Sequence, residues 1–432
     1  GYDAKHGTLK SKLSRRGNQM FDELASQLNF GFKRIGSLVL AFTDEDLGCL
    51  GKLLHNGRLN GVDDLELIDG ERARQMEPHL SVGVKGALFC PSAGVVSPYE
   101  FTLSLIENAI SNGVDVKVGF RVSRIEVLHE LKTKQRVYRL ENDTGDFVDA
   151  LAIINCAGVY ADTIAEMVSG AGNAGFSITP RKGQYILLGS EQGHMASRVI
   201  FQTPTVRWGK GVLVSPTVHG QLLIGPSAAE QLSRQDKGTD ELELAYIAWA
   251  ARRSVPHIDT RLSITSFAGL RARSNLNDFI IQQAPYAKHF INVVGIESPG
   301  LTSSPAIARM VVDILKCETE LTLEANSNFS PHHRHPVLGW KKQGTIVCQC
   351  EKITDTEIER AIDQAGIPIT CTDSIKWRTR AGMGRCQGAR CRPYVAEIIA
   401  KRLGNETTFQ DVPKQVSSLT PQRVPRKMLS RL

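Results

Sequence analysis

The chain has 432 residues, 41% hydrophobic and 22% charged, with 52 Lys and Arg against 45 Asp and Glu for a formal charge of +7. This is room for two or three domains with a sizeable core, and the composition excludes a collagenous or low-complexity protein. The positive excess gathers after residue 376 with no recognition-helix or base-stacking motif, which argues against a nucleic-acid partner.

No apolar run approaches the roughly 20 residues of a membrane-spanning helix. The opening GYDAKHGTLKSKL lacks the apolar centre of a signal peptide. Nine cysteines, an odd number, do not make a secreted disulfide framework. Cys49, Cys90, Cys156, Cys317 and Cys371 are scattered and read as small buried hydrophobes. A reducing compartment fits: the cytoplasm, or the periphery of a membrane.

Residues 8–55 alternate helical and strand-like stretches, with strands expected over 30–42 around Gly31 and Gly36. Ser97-Pro98-Tyr99-Glu100 supplies an N-cap, a proline at the first helical position and a capping glutamate, so a helix is expected from Pro98 to the Asn112-Gly113 stop. VDVKVGFRVSRIEVL, RVYRLEND and VDALAIINCAG read as three strands, and YADTIAEMVSG as the helix after them. The G-x-G-x-x-G string at Gly170–Gly175 follows a helix and precedes a strand. It therefore reads as a loop, because the dinucleotide fingerprint needs a strand before it and a helix behind it. Residues 178–225 read as β-rich, Glu241–Arg253 as a helix, and HFINVVGIE as a buried strand before a Pro/Gly/Ser loop and the helix PAIARMVVDIL. A polar linker with His332, His333 and His335, read as solvated, is expected over 326–343.

The C-terminal part carries the most specific signal. Cys348 and Cys350 are followed, after 35 intervening residues, by Cys386 and Cys391. Four thiolates are what a [2Fe-2S] cluster requires, and neither C-x-C nor C-x4-C is the usual zinc-knuckle spacing, although zinc stays open as an alternative. Thr354 to Glu357 reads as a capping box with Ile353 and Ile358 as its staple, Gly366 as the stop, and a second helix beginning at Pro393. Lys376, Arg378, Arg380, Arg385, Arg390 and Arg392 crowd the segment, charge suited to an anionic cluster.

Residues 344–403, with RTRAGMGRCQGARC, resemble the BFD-like [2Fe-2S] modules fused behind flavin-dependent dehydrogenases, where such a module passes electrons between flavin and an outside partner. Ahead of it, IINCAGVYAD and GIESPGLTSSPAIA each run from a strand through a small-residue turn to a helix start. In this order they resemble the FAD-dependent oxidoreductases of the D-amino-acid-oxidase superfamily, over about residues 1–320. The fold class expected is α/β. An N-terminally truncated FAD/NAD(P)-binding Rossmann-like domain interleaves with an α+β substrate domain over 1–325; after the linker come a small helical BFD-like domain over 344–405 and a basic, loosely ordered tail over 406–432.

That resemblance implies FAD and a [2Fe-2S] cluster as cofactors, the latter on Cys348, Cys350, Cys386 and Cys391. It implies that the Val122 backbone meets the adenine and that Ala157 and Gly158 lie at the ADP half. Gly295 and the loop Pro299-Gly300-Leu301-Thr302 would lie along the isoalloxazine. Arg271 would grip an anionic substrate, Ala272 standing where relatives commonly have proline, and Lys182, in the run Arg181–Gln184, would act electrostatically beside the flavin. The amino-terminal glycine motif and the histidine often assigned as base are not in the sequence, so a fragment or a weak FAD binder is expected. The function implied is oxidation of sn-glycerol 3-phosphate, with L-2-hydroxyglutarate as the alternative substrate and a non-catalytic iron–sulfur relay subunit as the alternative class. A flavoprotein subunit or a quinone would take the electrons.

Overall fold

The computed structural model describes residues 1–129, 136–204, 211–334, 343–404, 407–415 and 423–432. The chain opens on α1 (Leu9–Leu28), whose first turn is fixed twice: Thr8 accepts from the Ser11 amide, and the Asp278 carboxylate takes the amides of Leu9 and Lys10. There follow β1 (Phe32–Arg34), β2 (Ser37–Ala41), α2 (Asp44–Leu59), β3 (Glu66–Asp69), α3 (Gly70–Met76), β4 (Gly86–Cys90) and β5 (Gly94–Val96). The expected Ser97 cap opens α4 (Pro98–Ser111). A three-stranded meander, β6 (Val122–His129), β7 (Arg136–Asn142) and β8 (Phe147–Ala150), leads to β9 (Ile153–Asn155) and α5 (Ala161–Ser169).

Next come β10 (Ile178–Leu188), β11 (Val199–Gln202), β12 (Leu213–Pro216), β13 (Leu222–Gly225), β14 (Ala229–Glu230), α6 (Glu241–Ser254) and β15 (Ser263–Ser274). The oxidoreductase part closes with β16 (Ile280–Gln283), β17 (Phe290–Val294) and α7 (Gly300–Glu318). The cysteine module is β18 (Ile346–Cys348), β19 (Ile353–Thr354), α8 (Asp355–Asp363), α9 (Thr372–Thr379) and α10 (Arg392–Leu403), and α11 (Arg426–Leu429) ends the chain.

Two sheets position the site. A nine-stranded sheet runs β14-β10-β13-β12-β11-β2-β4-β3, with β15 along the other edge of β10. One face is sealed by α6 through Leu244, Ile247, Ala248 and Ala251, all without exposure, against Ile186, Leu188, Ile200, Leu222 and Ile224. The smaller sheet, β16-β17-β9, holds a parallel pair, β17 with β9, and packs against α1 and α7 through Ile291, Val293, Ala306, Ile307 and Leu13.

Three expectations change. The strand expected from Val114 begins only at Val122; Val114 and Val118 are exposed and the segment has no partner strand. The last oxidoreductase helix begins at Gly300, not at Pro305, so Gly300-Leu301-Thr302 is a helical turn rather than a loop. Pro305 cannot bond the Leu301 carbonyl, and the Ser304 hydroxyl donates to that carbonyl instead at 2.9 Å. The tail is not loose where it is described: α11 returns to the main core and buries Leu429 completely.

Candidate functional site

A cavity of about 1170 Å³ lies between the large sheet, α1 and the start of α7. Its floor comes from β10 and β15, which pair antiparallel over nearly their whole length with Arg181 opposite Arg271 and Tyr185 opposite Phe267. Directly opposed residues share a face, so both guanidinium groups line the cavity and the Tyr185 ring stacks on Phe267 at 5.1 Å. Gly183 stands between them because a Cβ there would meet the Arg271 guanidinium at 2.6 Å. Arg271 donates to the Ser227 carbonyl at 3.5 Å, while the buried Arg181 Nε has no hydrogen-bond partner. A buried guanidinium N–H without a partner is a place for an anionic ligand.

Facing this floor is the first turn of α7, with Pro299, Gly300, Leu301 and Thr302 all in the lining. No side chain caps this N-terminus, so its free amides and the positive end of the helix dipole can face negative charge. The turn is held against α1 at Gly17, where a Cβ would come within 2.1 Å of the Thr302 carbonyl oxygen. Lys10 and Glu297 close the same edge with a 2.7 Å ion pair, each about 14% exposed or less.

The cavity thus brings together Arg271 with Pro299, Gly300, Leu301 and Thr302. Lys182 is not in the lining: strand alternation turns it to the other face, where it pairs with Asp236 at 2.7 Å, and Arg181 stands in its place. Gly295 also lies outside; its φ of +71° and the 2.9 Å a Cβ would have to the Asp278 carbonyl oxygen demand glycine for the turn. Val122 pairs with Asn142 in the meander, and Ala157 and Gly158 are exposed beyond β9, with open space where a Gly158 Cβ would be.

The four module cysteines converge by pairs. Cys348 ends β18, Cys350 lies in the β18–β19 turn, Cys386 in the loop after α9, and Cys391 at the N-cap of α10. The expected capping box forms, Thr354 with Glu357, and Ile353 and Ile358 are buried beneath it. Cys348 hydrogen-bonds with Cys391 and Cys350 with Cys386. The Cys391 bond, then the amides of Gly382, Glu351 and Cys350, draw Cys348 down to about 6 against the pull of burial. Cys391, the partner in that bond, is pushed up. Gly384 lets the two ligand loops touch, since a Cβ there would be 2.3 Å from that of Cys350.

Among the described residues no three Cys, His, Asp or Glu side chains gather tightly enough for a single ion. Thiols meeting two by two, with amides directed at sulfur, fit a binuclear iron–sulfur centre. The module is docked beside the cavity: Arg380 bridges Glu351 at 2.9 Å and Gln221 at 3.1 Å, and Gln221 lies two residues ahead of the lining residue Leu223.

A family model for FAD dependent oxidoreductases (DAO) matches residues 1–314, and one for the BFD-like [2Fe-2S] binding domain matches residues 346–401. The chain belongs to the FAD dependent oxidoreductase family. It is 46% identical to a glycerol 3-phosphate dehydrogenase of Caloramator mitchellensis, over 94% of this chain and 85% of the relative. Human mitochondrial L-2-hydroxyglutarate dehydrogenase is 26% identical over 73% of this chain and 78% of its own. Dithionite-reduced L-alpha-glycerophosphate oxidase from Mycoplasma pneumoniae with FAD bound superposes with a TM-score of 0.70 at 26% identity, covering 78% of this chain and 86% of that one. Family membership makes FAD and the [2Fe-2S] cluster its cofactors. No helix among the described residues is long and apolar enough to cross a membrane.

Sequence reasoning missed Arg181 as a lining residue, although its run was singled out. Only the β10–β15 register reveals which of two adjacent cations faces Arg271.

Proposed function

We propose that the chain is an FAD-dependent dehydrogenase of sn-glycerol 3-phosphate, forming dihydroxyacetone phosphate and passing the electrons on through its [2Fe-2S] module. The Arg181–Arg271 pair facing the N-terminus of α7 carries this reading. Two guanidinium forks on one strand pair match the two charges of a phosphate and hold it by charge-assisted hydrogen bonds. FAD, when bound, supplies the hydride acceptor for a secondary alcohol.

The protein's own part is positioning. Arg181 and Arg271 fix the phosphate end, Tyr185, backed by its stack on Phe267, walls one side, and together they orient the alcohol carbon. The amides of Leu301 and Thr302, at the uncapped start of α7, would help hold a flavin in the cavity and favour negative charge on it. Cys348, Cys350, Cys386 and Cys391 hold the cluster, beside the cavity through the Arg380–Gln221 contact. The 46% identity to a glycerol 3-phosphate dehydrogenase supports the same substrate. The acceptor on this reading is a partner flavoprotein subunit or a quinone, and the compartment a reducing one such as the cytoplasm.

The test is anaerobic addition of glycerol 3-phosphate to the FAD- and iron-loaded protein. Absorbance at about 450 nm, where oxidised flavins absorb, should bleach. Bleaching by L-2-hydroxyglutarate alone would replace the substrate assignment. Cys391→Ser should lose the visible iron–sulfur bands and about two iron atoms per chain while flavin reduction persists; zinc in their place would overturn the cluster.

A further inference from the structure

Helix α9 ends on an arginine where a left-handed cap is usually glycine. Arg380 has a φ of +68°, a conformation open to glycine and opposed by a Cβ. Lys352 and Gln387, in the loops that carry the cysteines, also take positive φ. Their side chains bond within their own loops, Lys352 to Gln349 and Gln387 to the Met383 and Gly384 carbonyls. Of the three, Arg380 is the one that reaches out of the module, to Gln221 just ahead of β13. A disfavoured backbone conformation persists where its surroundings impose it, and such positions gather at functional sites.

The guanidinium spans two surfaces. Its Nε donates to the Glu351 carboxylate at 2.9 Å, and Nη2 donates to the Gln221 side-chain oxygen at 3.1 Å. Arg380 and Glu351 are 11% and 17% exposed and Gln221 is buried, so water competes little for these bonds. Gln221 is itself fixed, because its amide donates to the Thr217 hydroxyl at 3.1 Å and its carbonyl accepts from the Thr217 amide at 2.7 Å. Leu222 and Ile224 turn to the core under α6. By strand alternation Gln221 therefore shares the opposite face with Leu223, which lines the large cavity.

The same arginine organises what reaches the Cys348 sulfur. Glu351, which it holds, and Gly382, two residues after it, both direct backbone amides at Cys348. The Arg380 carbonyl accepts from the Met383 amide at 2.9 Å, which sets the turn that carries Gly382. Covalent and hydrogen bonds thus run without a break from Leu223 through Gln221, Arg380 and Glu351 to Cys348. Electron transfer slows steeply with each gap crossed through space, and a hydrogen bond in place of a gap strengthens the electronic coupling.

Resting on the reading that electrons leave FAD through the module, we propose that Arg380 is a positioning residue for transfer between flavin and cluster. It couples the β13 wall of the cavity to Cys348 and makes that cysteine the ligand through which electrons enter. In each transfer the reduced flavin loses one electron and the cluster gains it, one Fe(III) becoming Fe(II). The outside acceptor takes that electron before the second one follows.

The test is anaerobic laser-flash reduction of the flavin by a sacrificial tertiary amine, in the FAD- and iron-loaded full chain. Light reduces the flavin whichever alcohol the enzyme oxidises, so an error in the substrate leaves the result readable. The amine supplies one electron, and its arrival at the cluster is followed by the loss of the visible iron–sulfur bands. Arg380→Gly, which also relieves the left-handed backbone, should slow this transfer at least about tenfold. Gln221→Leu, which removes the contact from the oxidoreductase side, should slow it to a similar extent. In both variants the module stays docked through Glu107 with Arg334 and Arg378 and through the Tyr99–Trp377 stack. Dithionite should still give both the parent's EPR signal for the reduced cluster, which separates a slow transfer from a damaged centre. An unchanged rate in either variant overturns the role of Arg380, as does loss of the dithionite-reduced signal in both. No transfer in the parent would instead overturn the exit through the module.

Discussion

Arg181 and Arg271 stand directly opposite each other on β10 and β15, with Gly183 leaving the space that the Arg271 guanidinium occupies. Because one phosphate would use both, the two substitutions should not behave alike with Lys182. Arg271→Gln and Arg181→Gln should each raise KM for glycerol 3-phosphate by about 10- to 100-fold, the loss of one charge-assisted bond. Lys182→Gln, which breaks an exposed-edge pair with Asp236 on the other face, should stay within about threefold. Steady-state kinetics with an artificial acceptor decides this, and an equal effect at Lys182 would remove the face assignment.

Asp162, at the start of α5, accepts both Arg234 Nη atoms, at 2.5 and 2.7 Å, and the amides of Ile178 and Thr163. Burial works to raise its pKa, but the Arg234 bonds, the Ile178 amide and the arginine's charge outweigh it and hold the carboxyl below its ordinary range. A depressed folded-state pKa gives stability that is complete above the unfolded value of about 4 and is lost as pH falls through the folded one. Asp162→Asn should therefore cost about 3 kcal/mol near neutrality. The gap to the parent should close as pH drops below about 4, followed by urea midpoints. A gap independent of pH would mean that packing, not charge, ties α5 to β10.

Local signals were legible and long-range ones were not. Ser97-Pro98, and Thr354 with Glu357, announce helix starts because each cap is completed within four residues. The four cysteines could be read for the same reason: short loops at element ends carry them. Which face Arg181 takes depends on pairing with a strand about 90 residues later, and no local pattern encodes that register. The start of α7 was hidden by Pro305, whose missing bond Ser304 makes good. Val114–Arg121 has the composition of a strand, but a strand also needs a neighbour.

Glu107 of α4 lies between Arg334 and Arg378, at 3.3 and 3.6 Å, all less than a tenth exposed, and next to them Tyr99 stacks on Trp377 at 6.0 Å. The carboxylate joins the oxidoreductase part to α9 of the cysteine module. Removing it leaves two buried cations, a cost of about 3–5 kcal/mol. Glu107→Ala should split a single calorimetric transition into two, the module melting first, with the iron–sulfur bands intact at low temperature. One undivided transition would show that the stack and the Arg380–Gln221 contact suffice.

The C-terminal helix offers the sharpest contrast with its sequence. Polar and basic residues surround Leu429, yet it is fully buried against the core under α6. The docking is specific: the Val424 amide donates to the Thr239 hydroxyl at 2.8 Å, Arg426 Nε to the Ser263 carbonyl at 2.8 Å, and Arg252 to the Leu432 main-chain oxygen. Leu429→Ala should cost about 2–5 kcal/mol by the cavity it leaves. Lys427→Ala, on the exposed side of the same turn, should stay within about 0.5 kcal/mol. The difference is what a docked segment requires, since in a loose tail neither substitution would move the urea midpoint.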